Sequence, residues 1–199
     1  ARPFWLTAIL APRFLASAFA AGPAILLLLA LWVRRISTFD PGKQAIDTLA
    51  KIVTYAMTVN VFFVLMELFT ALYSDIPEHV THFQFLFTGL EGENTLVPWM
   101  WVSSVLAVVS LIVLINPKTR HNYGWLKFGC VAVVLSLWID KGLGMVIAGF
   151  VPNPLGKVVH YAPTAPELMI SLAIYAIGAL VLTGLYKIAL EVRGQLKKV

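Results

Sequence analysis

The chain has 199 residues, 59% of them hydrophobic and 13% charged, with a mean hydropathy of +0.83. That charged share is about half the norm for soluble domains, which excludes a soluble globular protein and predicts an all-α integral membrane protein. The net charge of +5 would suggest nucleic acid in a soluble protein, but in a membrane protein the placement of charges decides, and no nucleic-acid partner is expected.

Five apolar runs reach the roughly 20 residues needed to cross a bilayer. They cover about residues 14–33, 52–73, 97–115, 124–150 and 166–186 of a single transmembrane domain, 1–199. The first is interrupted by Gly22-Pro23. The second can extend back to Lys43, the third is closed by Asn116-Pro117, and the fifth has Pro166 well placed for a first helical turn. The runs are long and do not alternate, so strands have no place. The expected architecture is a four-helix bundle plus one peripheral helix in the lipid bilayer. The chain opens at Ala1 without an initiator Met, as a processed product or part of a longer protein would, and its start does not read as a signal peptide.

Charges in the connections predict orientation. Arg34, Arg35, Lys43 and Lys51 lie between the first two spans. Lys118, Arg120 and Lys127 lie around the third connection, and Lys187, Arg193, Lys197 and Lys198 follow the last span. The 74–96 loop has no Lys or Arg and carries Asp75, Glu78, Glu91 and Glu93; the 151–165 loop has only Lys157. The positive-inside rule then puts the C-terminus in the cytoplasm and both long loops outside, in the periplasm if the membrane is an inner (cytoplasmic) one. PEHVTHFQFLFTGLEGEN reads as a partly amphipathic segment at the outer interface. VPNPLGKVVHYAPTAP reads as an ordered, proline-rich cap. Trp5, Trp99 and Trp101 fit an aromatic belt.

Arg13, Glu67, Asp140 and Lys141 are charged residues within or at the edge of spans. At about 1.5 Å per residue, Glu67 is some 9 Å and Lys141 some 13 Å from the outer ends of their helices, so all four share the outer half of the membrane. Either a Glu67–Lys141 or an Arg13–Asp140 pairing is within reach. A charge at this depth costs at least about 2.5–3.5 kcal/mol, so such residues face a protein interior and commonly mark a ligand or proton path, although paired charges can be purely structural. Asp140 and Lys141 are adjacent, about 100° apart on an α-helix, and are expected not to serve one partner face. Asn60, Thr58, Thr54, Tyr55 and Ser136 read as inter-helix hydrogen-bonding groups, and Gly142, Gly144, Gly149, Gly178 and Gly184 as close-packing positions.

The histidines are informative. A b-type cytochrome needs histidines within its spans as haem ligands. His79, His82 and His160 fall in the outer loops and His121 in an inner one, so no haem is expected in this chain. His79 and His82 alone are a weak metal site. Cys130 is the one cysteine, which rules out a disulfide framework or a thiolate cluster, and no phosphate-binding loop or nucleophile elbow is present.

Several blocks together resemble a known family. These are RPFWLTAILAPRFLASAFAAGPAILLLL, NVFFVLMELFTALYSD, ENTLVPWMWVS and LWIDKGLGMVIAGFVPNPLGKVVHYAPTAPE. In order and spacing they resemble the NrfD/polysulfide reductase C-type family of quinone-interacting membrane subunits, in particular the long members of the Hmc, Dsr and Qrc complexes of sulfate reducers. The likeness runs over essentially the whole chain and matches the C-terminal half of such members, which carry about ten spans in two bundles. It implies a haem-free bundle exchanging electrons with menaquinone or another quinone, bound mainly outside this segment. The electrons would pass through an outer-side ferredoxin-like iron–sulfur subunit, accompanied by a multihaem cytochrome or molybdopterin-type subunit. Arg13, Glu67, Asp140 and Lys141 would then be quinone- or proton-pathway residues of an oxidoreductase subunit rather than of a stand-alone enzyme. A secondary transporter using the same charges as a coupling site, or a structural anchor for an extracytoplasmic redox partner, are the alternatives; the transporter predicts repeats and broken helices.

Overall fold

The computed structural model describes residues 3–5, 7–36, 40–74, 76–151, 158 and 163–196. Most of the expected 151–165 cap, with Lys157 and His160, therefore lies outside the described residues, as do Asp75, Lys197 and Lys198.

With no water in the bilayer core, backbone N–H and C=O groups must pair within the segment, and long apolar runs become helices. The elements are α1 (Leu10–Ile36), α2 (Lys43–Ser74), α3 (Pro77–Phe87), α4 (Val97–Ile115), α5 (Pro117–Arg120) and α6 (Tyr123–Trp138). A π-helical segment, Ile139–Met145, follows α6, then α7 (Val146–Ala148) and α8 (Ala165–Leu196). Among the described residues, five helical stretches are long and apolar enough to cross a membrane: Leu10–Ile36, Lys43–Ser74, Val97–Ile115, Tyr123–Ala148 and Ala165–Glu191.

The chain divides into two compact units, Ala1–His160 and Tyr161–Val199. The second is α8, at whose start Glu167 accepts from the backbone N–H of Thr164 at 2.7 Å and from its hydroxyl at 2.9 Å. In the first, α1 packs on α2 and α6, and α4 on α6 and α2, which closes a four-helix ring.

A spacing of alternating threes and fours builds that ring. On α1 the buried seam is Arg13, Ser17, Ala20, Ala24, Leu27 and Leu31. On α2 it is Ile46, Ala50, Val53, Met57 and Asn60, resuming at Glu67 and Ala71. On α6 it is Leu126, Cys130, Val133 and Leu137. A 3.5-residue repeat keeps one stripe facing the neighbours over many turns. Off the seam, Leu15, Trp32, Phe62, Leu65, Val105 and Ile112 are each more than half exposed, a lipid-facing surface. Thr54, Thr58, Thr70 and Ser104 return their hydroxyls to the carbonyl four residues back, at 2.7–2.9 Å, so these groups need no water.

Two expectations change, and a third gains detail. Gly22-Pro23 does not interrupt the first span: α1 runs through it, because a proline inside a membrane helix is tolerated when neighbouring helices hold the segment. The broken helix that a transporter would favour is therefore absent at this position. The fourth span is not one α-helix, since seven of its residues are π-helical. The 74–96 loop contributes α3, whose Phe85 and Leu86 join Phe4, Leu96, Met100, Met145, Ala148 and Val151 in a second buried cluster, so its apolar face meets protein.

The α1–α2 and α4–α6 connections meet at one end of the four-helix ring, and α3 lies at the other. At one end Arg34 lies over the Tyr123 ring, 5.1 Å from its centroid, and His121 Nε2 is 3.8 Å from Asp47. At the other, α3 leads into a tight turn with Glu91 at φ 51° and Gly92 at φ 87°, closed by a Leu90–Glu93 bridge.

Candidate functional site

Three seams carry a charge at the α3 end of the bundle, and the charges meet. Arg13, in the first turn of α1, donates to Glu67 of α2. Its Nη2 donates to both carboxylate oxygens of Asp140, at 2.7 and 2.9 Å. Lys141 places its ammonium 3.3 Å from Asp140 Oδ2 and over the Phe14 ring, 4.9 Å from the centroid. Side-chain exposure is 6% for Arg13, 8% for Glu67, 13% for Asp140 and 16% for Lys141. Two formal cations and two formal anions thus form a balanced, largely buried quartet. A buried charge in such surroundings survives only when paired and hydrogen-bonded.

Of the two pairings open from the sequence, Arg13–Asp140 forms, while Glu67 is taken by Arg13 rather than Lys141. Asp140 bonds Arg13 on the buried seam of α1, while Lys141 lies over Phe14 on its exposed side, so the two address different residues of that helix, about 100° apart.

A polar layer lies on the interior side of the quartet. Ser103 of α4 donates to the carbonyl of Ser136 at 2.9 Å, and Ser136 of α6 donates to the carbonyl of Ser103 at 2.8 Å. Ser17 is buried one turn from Arg13, and its hydroxyl bonds the Phe14 carbonyl at 2.7 Å. Asn60 is buried two heptad rungs along α2 from Glu67, with its Oδ1 unbonded among the described residues. Ser136 and Asn60 read from the sequence as inter-helix hydrogen-bonding groups, and Ser136 forms such a bond. Ser17 and Ser103 were not singled out. The signal for both is the seam itself, since each sits three or four residues from a charged or buried rung.

Arg13 Nε is also buried without a hydrogen-bond partner among the described residues, a donor that matches an oxygen acceptor, whereas Lys141 Nζ is held in its ion pair with Asp140. His79 and His82 are on α3, where His82 is buried and stacked on Phe4 at 4.9 Å; His121 follows α5. No group of three metal-ligating side chains occurs among the described residues.

A family model described as "Polysulphide reductase, NrfD" matches residues 1–151. The chain belongs to the NrfD family. A curated protein of Halobacterium salinarum, described as a "Putative dimethyl sulfoxide reductase membrane subunit", is 22% identical over 212 aligned residues, covering 94% of this chain and 47% of that protein. The chain thus spans about half the length of that relative. The NrfD match takes in all four charges, the polar layer and the π-helical turn. NrfD proteins are membrane subunits of reductase complexes and generally interact with quinone.

Proposed function

We propose that this chain is a haem-free membrane component of a respiratory oxidoreductase complex. In it, electrons pass between the quinone pool, menaquinone in the first instance, and an iron–sulfur or cytochrome partner on the outer side. The observation that carries this reading is the largely buried quartet of Arg13, Glu67, Asp140 and Lys141 within the NrfD-matched region. Intramembrane ionisable groups cost enough that they commonly mark substrate or proton pathways. The basic end of the bundle would face the cytoplasm and α3 the periplasm, by the positive-inside rule.

Quinone, when bound, supplies two-electron chemistry coupled to two protons. The residues of this chain fit a role beside it. Glu67 and Asp140 can hold and release protons at their carboxylates, and Arg13 keeps both in place. Arg13 Nε is a donor suited to an oxygen acceptor. The Ser103–Ser136 and Asn60 layer extends polar groups toward the bundle interior. The test is quinone-linked turnover of the intact complex carrying Glu67→Gln or Lys141→Met, with assembly verified. Turnover reduced about 10²-fold or more is expected for a lost proton-transfer group; unchanged turnover in both variants sinks the reading.

One observation favours a second reading. The quartet closes on itself, as it would in a purely structural anchor for an extracytoplasmic redox partner. In that case the same variants lose assembly of the complex, while any complex that does assemble turns over normally.

A further inference from the structure

The π-helical turn that carries Asp140 and Lys141 is held between two anchors. Upstream, Ser136 is fixed to α4 by its reciprocal bonds with Ser103. Downstream, Trp5 donates its indole N–H to the carbonyl of Met145, the last π-helical residue, at 3.1 Å. The same carbonyl accepts from the Gly149 N–H at 3.3 Å, a longer bond that the indole supplements. The ring lies so close to Gly149 that a Cβ there would sit 2.1–2.4 Å from three indole atoms, and Phe150 packs edge-on to it at 5.2 Å. Met145, Ala148 and Val151 are buried in the cluster that also contains Phe4.

A π-helical turn accommodates one residue more than an α-helix would over the same rise. The stretch from Ser136 to Met145 is therefore one residue too long for α-geometry between its fixed ends. If the downstream end were released, the segment could relax to an α-helix by slipping one residue. Asp140, one turn past the anchored Ser136, would keep its place on the seam, while Leu143, Gly144 and Met145 would each move by one position. We propose that Trp5 is a positioning residue for the downstream half of the π-helical turn, Leu143 to Met145: by holding the Met145 carbonyl and filling the space over Gly149, it fixes the register of that half. Trp5 is thereby more than a member of an aromatic belt. This inference concerns register alone and stands apart from the identity of any electron donor.

The test is disulfide trapping in the full chain within its native complex, on a Cys130→Ala background. A Cβ at Gly144 would lie 2.8 Å from Met100 Sδ, so Met100→Cys with Gly144→Cys reports the π register. After relaxation to an α-helix, residue 143 occupies the place that 144 holds now, so Met100→Cys with Leu143→Cys reports the slipped register. Trp5→Ala should move cross-linking from the 144 pair to the 143 pair. Replacing Trp5 with its benzothienyl isostere, which keeps the ring and removes only the N–H, should shift the ratio of the two products by about fivefold, the effect of one ordinary hydrogen bond. Cross-linking that stays at 144 with both replacements overturns the proposal. If Trp5→Ala does not accumulate, the isostere decides, since it changes one donor and no volume.

Discussion

One guanidinium nitrogen of Arg13 reaches both carboxylate oxygens of Asp140, 127 residues later in the chain, while its other terminal nitrogen is given to Glu67. Arg13 is thus the common partner of the two buried acids. Among the described residues, neither acid has another partner of comparable reach apart from Lys141 beside Asp140. Lysine could not do this, because an ammonium is a point donor and lacks the planar fork that spans two carboxylates.

Removing the hub should therefore be more damaging than removing one spoke. Arg13→Met leaves Glu67 and Asp140 facing Lys141 with a net negative charge, and is expected to destabilise the bundle by about 3–5 kcal/mol. Adding Glu67→Gln to that variant should recover part of the loss by removing one uncompensated charge. Thermal melting in detergent tests both statements. A melting point unchanged by Arg13→Met would show that the network contributes nothing to stability.

Erasing the whole quartet should be much milder. With Arg13→Met, Glu67→Met, Asp140→Leu and Lys141→Met together, no charge is left unpaired, and apolar replacement of buried ion networks is often neutral or stabilising by about 1–4 kcal/mol. The expected outcome is a bundle that melts near the parent temperature and assembles, yet fails in quinone-linked turnover. Normal turnover in that variant would leave the charges a structural role only.

The Ser103–Ser136 clasp should behave as one unit. Hydrogen bonds between membrane helices average about 0.6 kcal/mol and reach about 1.7. Ser103→Ala and Ser136→Ala should each cost roughly that much. The pair together should differ from the sum of the two, because the reciprocal geometry makes each bond favour the other. A double-mutant cycle by reversible unfolding measures the coupling; strict additivity would argue against it.

Two glycines should respond in opposite directions to alanine. Gly89 has φ +84°, and a Cβ there would lie 1.7 Å from Asn94 Oδ1, so Gly89→Ala should destabilise the α3–α4 turn by about 1–3 kcal/mol. Gly22 is helical, with nothing within 4 Å of an added Cβ, so Gly22→Ala should stabilise α1 by up to about 1 kcal/mol. Unfolding midpoints of the two variants, read side by side, check the contrast in sign.

The spans could be read from the sequence because their signal is strong and local: runs of twenty or more apolar residues have one solution in lipid. Lys43 as the start of α2 and Asn116-Pro117 as the end of α4 were legible for the same kind of reason, namely local turn and cap chemistry. That Arg13, Glu67 and Asp140 share a depth followed from counting rise per residue, and the seam would have placed them more sharply. Continuing the three-four spacing from Leu27 back along α1, from Met57 along α2 and from Leu137 along α6 arrives at all three. The π-helical turn was not legible. Gly142 and Gly144 read as packing positions, and the contacts that bracket the turn come from Trp5 and α4, 140 and about 40 residues away in the chain.

The position of the hub also constrains how the protein is made. Arg13 belongs to α1, which leaves the ribosome before the other helices of the network, and its nearest acid there, Glu67, is synthesised 54 residues later. Alone in lipid, that guanidinium would cost about 2.5–3.5 kcal/mol on insertion scales. Leaving the translocon as an α1–α2 hairpin, with Arg13 already bonded to Glu67, removes that burden before α4 and α6 exist. Asp140 and Lys141 then arrive as a self-neutralising pair. Nascent chains halted before and after residue 67 should accordingly differ in how firmly α1 resists alkaline extraction from the membrane, with the longer chain retained; equal retention would mean that α1 inserts without its partner.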